Sequence, residues 1–154
     1  MNQILLEKVK PLHQSFLEEL YRSTREEELS QTNWTEQQKK QFIVMQFLAQ
    51  KADYERKFPN AQQQIVYYKK QLVGRLYSNE TENNIHIIDI ALLPKYRNKG
   101  IGKSLLEQLI SKAKKQQKRI SLQVIKTNPA KNLYTRLGFV VVKQDGLREY
   151  MECR

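Results

Sequence analysis

The stretch that most limits how this chain can fold is 85-IHIIDIALLPKYRNKGIGKSLLEQLISKA-113. Its first nine residues are apolar almost throughout and stop at Pro94. That length and composition suit a strand covered on both faces. From Gly100 onward the period changes: Ile101, Leu105, Leu106, Leu109, Ile110 and Ala113 fall on one face of a helix. A buried strand, a short glycine-bearing loop and an amphipathic helix make the first half of a parallel βαβ unit. The run 120-ISLQVI-125 completes it.

The rest of the chain hangs on that unit. Ile4–Val9 reads as a strand. Pro11 opens a helix with Leu12, Phe16, Leu17 and Leu20 on one face, and 22-RSTREEEL-29 reads as a second short helical stretch capped by Ser23 or Thr24. Thr35-x-x-Gln38 is a capping box that starts a longer helix to about Lys57, with Phe42, Met45, Ala49, Ala52 and Tyr54 as its core face. The segment 65-IVYYKKQLVGRLY-77 predicts a hairpin around Lys69-Lys70-Gln71. A short helix at 129-PAKNLYTRLG-138 starts with Pro and ends with Gly. Strands at 139–143 and 147–152 flank Asp145-Gly146, a hairpin signal. The predicted order, β-α-α-α-β-β-β-α-β-α-β-β, gives an α/β fold. Its sheet is mixed and mostly antiparallel, with a parallel core and helices on both faces.

The 154 residues suit one domain. No apolar run reaches the length of a membrane span, and MNQILLEKVK meets an acidic residue too soon for a secretory signal. One cysteine, Cys153, leaves no internal disulfide, so a reducing, cytoplasmic setting is expected. The net charge of +11 is one-sided. Residues 1–94 carry 12 Lys and Arg against 12 Asp and Glu, and residues 95–154 carry 15 against 4. A basic half of that kind favours a polyanionic partner, either nucleic acid or a phosphorylated cofactor. The basic run 112–119 lacks interleaved aromatics, which counts against nucleic acid.

The loop 97-RNKGIGKS-104 has two phosphate-binding readings to test. A P-loop needs glycine where Arg97 stands, and 120-ISLQVI-125 is followed by Lys126 rather than a magnesium-holding acid. A dinucleotide fingerprint needs glycine where Leu105 stands. Gly100 and Gly102 at a helix N-terminus, with Arg97, Lys99 and Lys103 around them, remain a good pyrophosphate seat.

These residues resemble the GNAT superfamily of acyl-CoA N-acyltransferases. Its first signature, Gln/Arg-x-x-Gly-x-Gly/Ala after a strand ending near Pro, stands here in 90-IALLPKYRNKGIGKSLL-106; the second stands in 128-NPAKNLYTRLGF-139. The resemblance covers nearly the whole chain and implies a single GNAT domain over 1–154. It implies acetyl-CoA as the acyl donor, with direct transfer to a primary amine of a small molecule or peptide. Arg97, Asn98, Lys99, Gly100, Ile101, Gly102 and Lys103 would hold the pyrophosphate, with a hydroxyl from Ser104. Ile90, Ala91 and Leu92 would pair with the pantetheine arm, the Leu92 N–H would polarise the thioester carbonyl, and Asn128 would bond the pantetheine. Tyr134 would protonate the departing thiolate. The base stays open between Asp89 and His86, which a regular strand would place on opposite faces. Glu27 and Glu28, in the run beginning at Glu26, would line the acceptor site and favour a cationic amine. The resemblance implies no metal and no membrane partner, and many relatives pair as homodimers. Two other readings of the chain are a coenzyme A-binding sensor without turnover and a basic nucleic-acid-binding module.

Overall fold

The computed structural model describes residues 3–153. Its strands are β1 (Ile4–Lys8), β2 (Gln62–Tyr68), β3 (Gln71–Glu80), β4 (Asn84–Leu92), β5 (Arg119–Ile125), β6 (Val140–Asp145) and β7 (Arg148–Cys153). Its α-helices are α1 (Gln14–Ser30), α2 (Glu36–Lys57), α3 (Ile101–Lys115) and α4 (Ala130–Arg136). The strands form one sheet in the order β1-β2-β3-β4-β5-β7-β6. The β4–β5 pair is parallel and the other neighbours are antiparallel.

The two sides of the sheet are built differently. Ile101, Leu105, Leu106, Leu109 and Ala113 of α3 pack on Ile85 and Ile87 of β4 and Ile120 and Leu122 of β5, forming the main apolar core. Leu133 and Tyr134 of α4 join the same side. On the other side a smaller cluster, Leu17 of α1, Phe47 of α2 and Ile65 of β2, holds the first two helices to the sheet. Burying one such side chain contributes roughly 1.5–3 kcal/mol, so the α3 side carries most of the packing energy.

Three expectations change. The stretches at 11–20 and 22–29 are one α-helix, preceded by a 3-10 turn at Pro11–His13. Ser23 and Thr24 do not cap a second helix. Their hydroxyls donate back to the carbonyls of Leu20 and Tyr21, both at 2.6 Å, which lets the helix run on. Leu12 lies outside the packed face and is exposed. In α2 the Thr35–Gln38 capping box forms as expected. The buried residues, however, are Ile43 and Phe47, while Met45, Ala49 and Ala52 are exposed. The inward track continues through Gln50 and Tyr54, whose polar atoms disguise the period.

β4 is covered fully on one face only. Ile85 and Ile87 are buried, and the residues from Ile88 to Leu92 are half-buried. Two irregularities explain this. A bulge against β3 pairs Tyr77 with Asp89 but Ser78 with Ile87, leaving Ile88 as the extra residue. Pairing with β5 ends at Ile87–Leu122, although both strands continue. The sheet therefore opens between the C-terminal halves of β4 and β5.

Candidate functional site

The opening in the sheet leads into a cavity of about 620 Å³. Its walls come from α1, α2, β4, β5, α4 and the start of β7. At this gap the backbone of β4 carries the chemistry. Leu93 N–H donates to Val73 O of β3 at 2.8 Å. Strand amides alternate in direction, so Leu92 and Ile90 turn their N–H and C=O groups into the gap, and Ala91 turns toward β3 opposite Arg75. Of the expected Ile90, Ala91 and Leu92, Ile90 turns its N–H and C=O into the gap and Leu92 its N–H, the Leu92 carbonyl being taken by Arg97. Gly74 of β3 permits this close pairing, because a Cβ there would collide with the carbonyl of Ala91.

The loop after β4 is shaped for an anion. Gly100 caps α3 with φ +83°, a left-handed conformation, and a Cβ there would meet nothing within 4 Å. The first N–H groups of α3 point out of the helix end; Ser104 is the first to bond back, to Gly100 O at 3.0 Å. Asn98 is also left-handed, with φ +58°. Arg97 is used structurally: its Nε donates to Leu92 O at 2.9 Å, and its Nη2 reaches Ser23 Oγ of α1 at 3.5 Å. This fixes the loop against β4 and leaves Lys99 and Lys103 exposed. Lys69, on the β2–β3 turn, joins Lys99, Gly100, Ile101 and Ser104 around a shallow pocket of about 310 Å³. Lys69 was not foreseen from the sequence; its position follows from the tight turn, where Lys69 and Lys70 both take positive φ.

Tyr134 of α4 lines the cavity, its ring edge-on to Phe139 with centroids 5.9 Å apart. Burial, with the Asp89 charge adding to it, pushes its phenol above the ordinary tyrosine value. α4 is pinned one turn earlier, where Lys131 pairs with the buried Glu149 of β7. Lys131, with Gln144 helping, holds the Glu149 carboxyl below its ordinary value. Asn128 lies at the cavity edge, and its Oδ1 accepts from Ala130 N–H at 2.9 Å, shaping the turn into α4.

The bulge at Ile88 changes the expected relation of Asp89 and His86, which now line the same cavity on the α2 side. Asp89 is paired with Arg75, which is buried in β3 and also donates to Gln50 of α2 and Gln63 of β2. That carboxylate is already occupied by a buried guanidinium. His86 is stacked between Phe58, which follows α2, and Tyr150 of β7, at 5.7 and 5.6 Å between centroids. Its Nδ1 lies 2.9 Å from Ser121 Oγ, which also bonds Asn84. Burial lowers its pKa, so the imidazole is neutral at pH 7. Tyr54 stands edge-on to Tyr77 at 5.3 Å; burial, then the Asp89 charge, pushes its phenol up to about 12.

Glu27 and Glu28 do not reach this cavity. Both are exposed on α1, and Glu28 is held by Arg25 at 3.0 and 2.9 Å. Because α1 is continuous, the helix turns Tyr21 toward the cavity instead. The acids that do line it are Asp53 and Asp89. Arg75 was missed in the sequence, though a cation inside 71-QLVGRLY-77 poses the same question as Asp89 in its apolar strand. A charge buried in each of two neighbouring strands implies a pair.

A family profile described as an acetyltransferase (GNAT) domain matches residues 23–152, so the chain belongs to the GNAT acetyltransferases. Over 68 residues it is 40% identical to an N-alpha-acetyltransferase of Sulfurisphaera tokodaii, covering 42% of this chain and 40% of that protein. The match thus spans well under half the length of that relative. Among solved structures it resembles the PaiA N-acetyltransferase of Thermoplasma acidophilum in complex with coenzyme A. The TM-score is 0.70 at 22% identity, over 100% of this chain and 99% of that one. It also resembles Arabidopsis thaliana Naa50 in complex with the bisubstrate analogue CoA-Ac-MVNAL, with TM-score 0.58 at 17% identity over 98% and 97% of the chains. At these identities the likeness is one of fold. Among the described residues no helix is long and apolar enough to cross a membrane.

Proposed function

We propose that this protein transfers an acetyl group from acetyl-CoA to a free amine of a small molecule or peptide. The observation that carries the reading is the sheet opening beyond Ile87–Leu122, with Tyr134 and His86 lining the cavity behind it. The residues fit the donor. Ile90 offers its backbone N–H and C=O and Leu92 its N–H to an amide-bearing arm, as an added strand would use, while Arg97 holds the Leu92 carbonyl. The open left-handed Gly100 and the α3 N-terminus offer N–H groups to a pyrophosphate, with Lys69, Lys99 and Lys103 as counter-charges and the Ser104 hydroxyl beside them. Asn128 keeps its amide nitrogen free for the arm, since Oδ1 serves the turn. The neighbours of the same fold solved with coenzyme A or the bisubstrate analogue support coenzyme A as the acyl carrier.

Acetyl-CoA, when bound, supplies a thioester whose acyl carbon accepts the amine and whose thiolate leaves. The Leu92 N–H polarises the carbonyl where negative charge develops. Tyr134 keeps its proton at neutral pH, since its pKa is raised, and gives it to the departing sulfur. His86, neutral at pH 7, takes the proton that the amine must lose, directly or through one water. Asp89 pairs with Arg75, and its charge adds to burial in raising the Tyr134 phenol. The test is release of free thiol from acetyl-CoA over a panel of amines, alongside melting with and without acetyl-CoA. No thermal shift at saturating acetyl-CoA would sink the reading.

A further inference from the structure

The charges around the cavity define the kind of amine it takes. Two carboxylates line it, and each is neutralised where it stands. Asp53 is bound by Arg56 at 2.7 Å and Lys57 at 3.2 Å, and Asp89 by the buried Arg75. Neither carboxylate is left over to attract a second cation. The cations, by contrast, are in excess. Lys57 and Arg148 both line the cavity; Lys57 is bound to Asp53, which Arg56 also holds, whereas Arg148 has no carboxylate partner within 4.0 Å among the described residues.

Arg148 is placed on the acceptor side. Along β7, Glu149, Met151 and Cys153 are buried, and Met151 and Cys153 belong to the α3-side core. Alternation puts Arg148 on the opposite face with Tyr150, which stacks on His86. The pyrophosphate seat at Gly100 belongs to α3, across the sheet, and shares no lining residue with this cavity. A smaller pocket of about 240 Å³ adjoins Arg148, lined by Gln123, Lys143, Asp145 and Tyr150. Its one carboxylate, Asp145, stands opposite Arg148 in the β6–β7 register without an ion pair to it, and two cations, Lys143 and Arg148, share that pocket with it.

From this unbalanced positive wall we infer that the acceptor amine carries a carboxylate that docks on Arg148. The enzyme then takes amino acids or acidic peptide termini in preference to polycationic amines. The inference rests on the acetyl-transfer reading above. It reverses the cationic amine that Glu27 and Glu28 suggested, because those residues point elsewhere. A planar guanidinium with no partner of its own matches a carboxylate bidentately. The pairing would place the ligand between β7 and α2, with its amine near His86.

The test compares four amines by thiol release from acetyl-CoA: the tripeptide amide Ser-Glu-Glu, its Ser-Lys-Lys twin, free glutamate and a linear triamine. We expect kcat/KM for Ser-Glu-Glu to exceed that of its lysine twin by about tenfold, the size of one charged hydrogen-bonded pair, with the gap shrinking as salt is added. Glutamate turned over as well as Ser-Glu-Glu assigns the α-carboxylate of an amino acid; Ser-Glu-Glu alone assigns acidic side chains of a peptide. Arg148→Gln should level the two tripeptides, Arg148→Glu should reverse them, and Arg148→Lys should keep part of the preference. The side chain is exposed, so melting should be unchanged in all three. A wild-type preference for Ser-Lys-Lys or the triamine, or discrimination untouched in Arg148→Gln, overturns the inference while leaving acetyl transfer intact. No thiol release with any amine, even where acetyl-CoA raises the melting temperature, overturns both.

Discussion

The two sides of the sheet recognise different things by different means. On the α3 side, the ligand-facing groups are backbone: the Ile90 and Leu92 amides, the open Gly100 and the first turn of α3. They are held by the apolar core and need few particular side chains. On the α2 side, the cavity is made of side chains from six elements, many tied to one another. Arg75 spans Gln50, Gln63 and Asp89; His86 sits between Phe58 and Tyr150; Asp53 holds Lys57. A backbone site serves any ligand bearing the same amides and phosphates. A side-chain site can be respecified by a few substitutions without disturbing the core. In the proposed reading, the donor half is thus fixed by the fold, and the acceptor half is the one that a few substitutions could respecify.

The harshest way to break this contrast is Gly100→Glu. The residue sits at φ +83°, where a side chain costs roughly 1 kcal/mol, and the change puts a carboxylate into the anion seat. The melting temperature without ligand should fall by only a few degrees, and the rise caused by acetyl-CoA should vanish. If Gly100→Glu kept the full acetyl-CoA shift, the pyrophosphate would not lie at α3.

The same contrast explains what the sequence made legible. Local backbone structure is written in contiguous residues, so the strand, loop and helix start of 90–104 and the short helix within 128–139 could be read directly, as could the apolar face of α3 and the Thr35 cap. The acceptor wall is not contiguous. It depends on the bulge at Ile88, which brings Asp89 and His86 to one side, and no residue type near Ile88 announces a bulge. It depends too on the inward face of α2, where Gln50 and Tyr54 interrupt the apolar period and Met45, Ala49 and Ala52 imitate it. Ser23 and Thr24 looked like caps because their hydroxyls compete for backbone groups; in α1 they bond backward instead. What depends on local period was readable, and what depends on register and on partners distant in the chain was not.

Tyr134→Phe sharpens the boundary between the halves, since Tyr134 faces both. Removing the hydroxyl should lower kcat by about 10³-fold, within the range for a lost general acid. The acetyl-CoA thermal shift should stay within a degree or two, because the ring keeps its contact with Phe139. Loss of donor binding together with rate would mark Tyr134 as a wall of the donor cleft rather than a proton source.

His86→Gln tests the acceptor half alone. We expect kcat/KM to fall by about 10²-fold near neutral pH. The wild-type profile should show a limb below the ordinary imidazole value of about 6.5, because burial lowers the His86 pKa. The amine's own deprotonation adds a limb at higher pH in both proteins, so the informative quantity is their difference. Stability follows with the same sign. The unfolded chain takes up the His86 proton first as pH falls, so folding stability contributed here is present above about 6.5 and is lost below it. The glutamine variant should lose that part of the acid sensitivity. An acid limb that survives in His86→Gln would move the base role to another group.

The smallest effect belongs to Glu28→Gln, and its smallness carries information. Glu28 forms a fork with Arg25 on the exposed side of α1, away from the cavity. An exposed pair of this kind contributes roughly 0–1 kcal/mol. Arg25 retains its bond to the Tyr21 hydroxyl at 2.6 Å and its position 5.3 Å from the Phe42 ring. Tyr21 should therefore keep its place in the cavity wall. We expect KM for every amine to change by less than about twofold, with a fall in melting temperature of no more than a few degrees. A large rise in KM for cationic amines alone would restore the acidic run 26–28 to the acceptor site. The electrostatic contrast between the two sides of the sheet would then have to be redrawn with α1 as the negative wall.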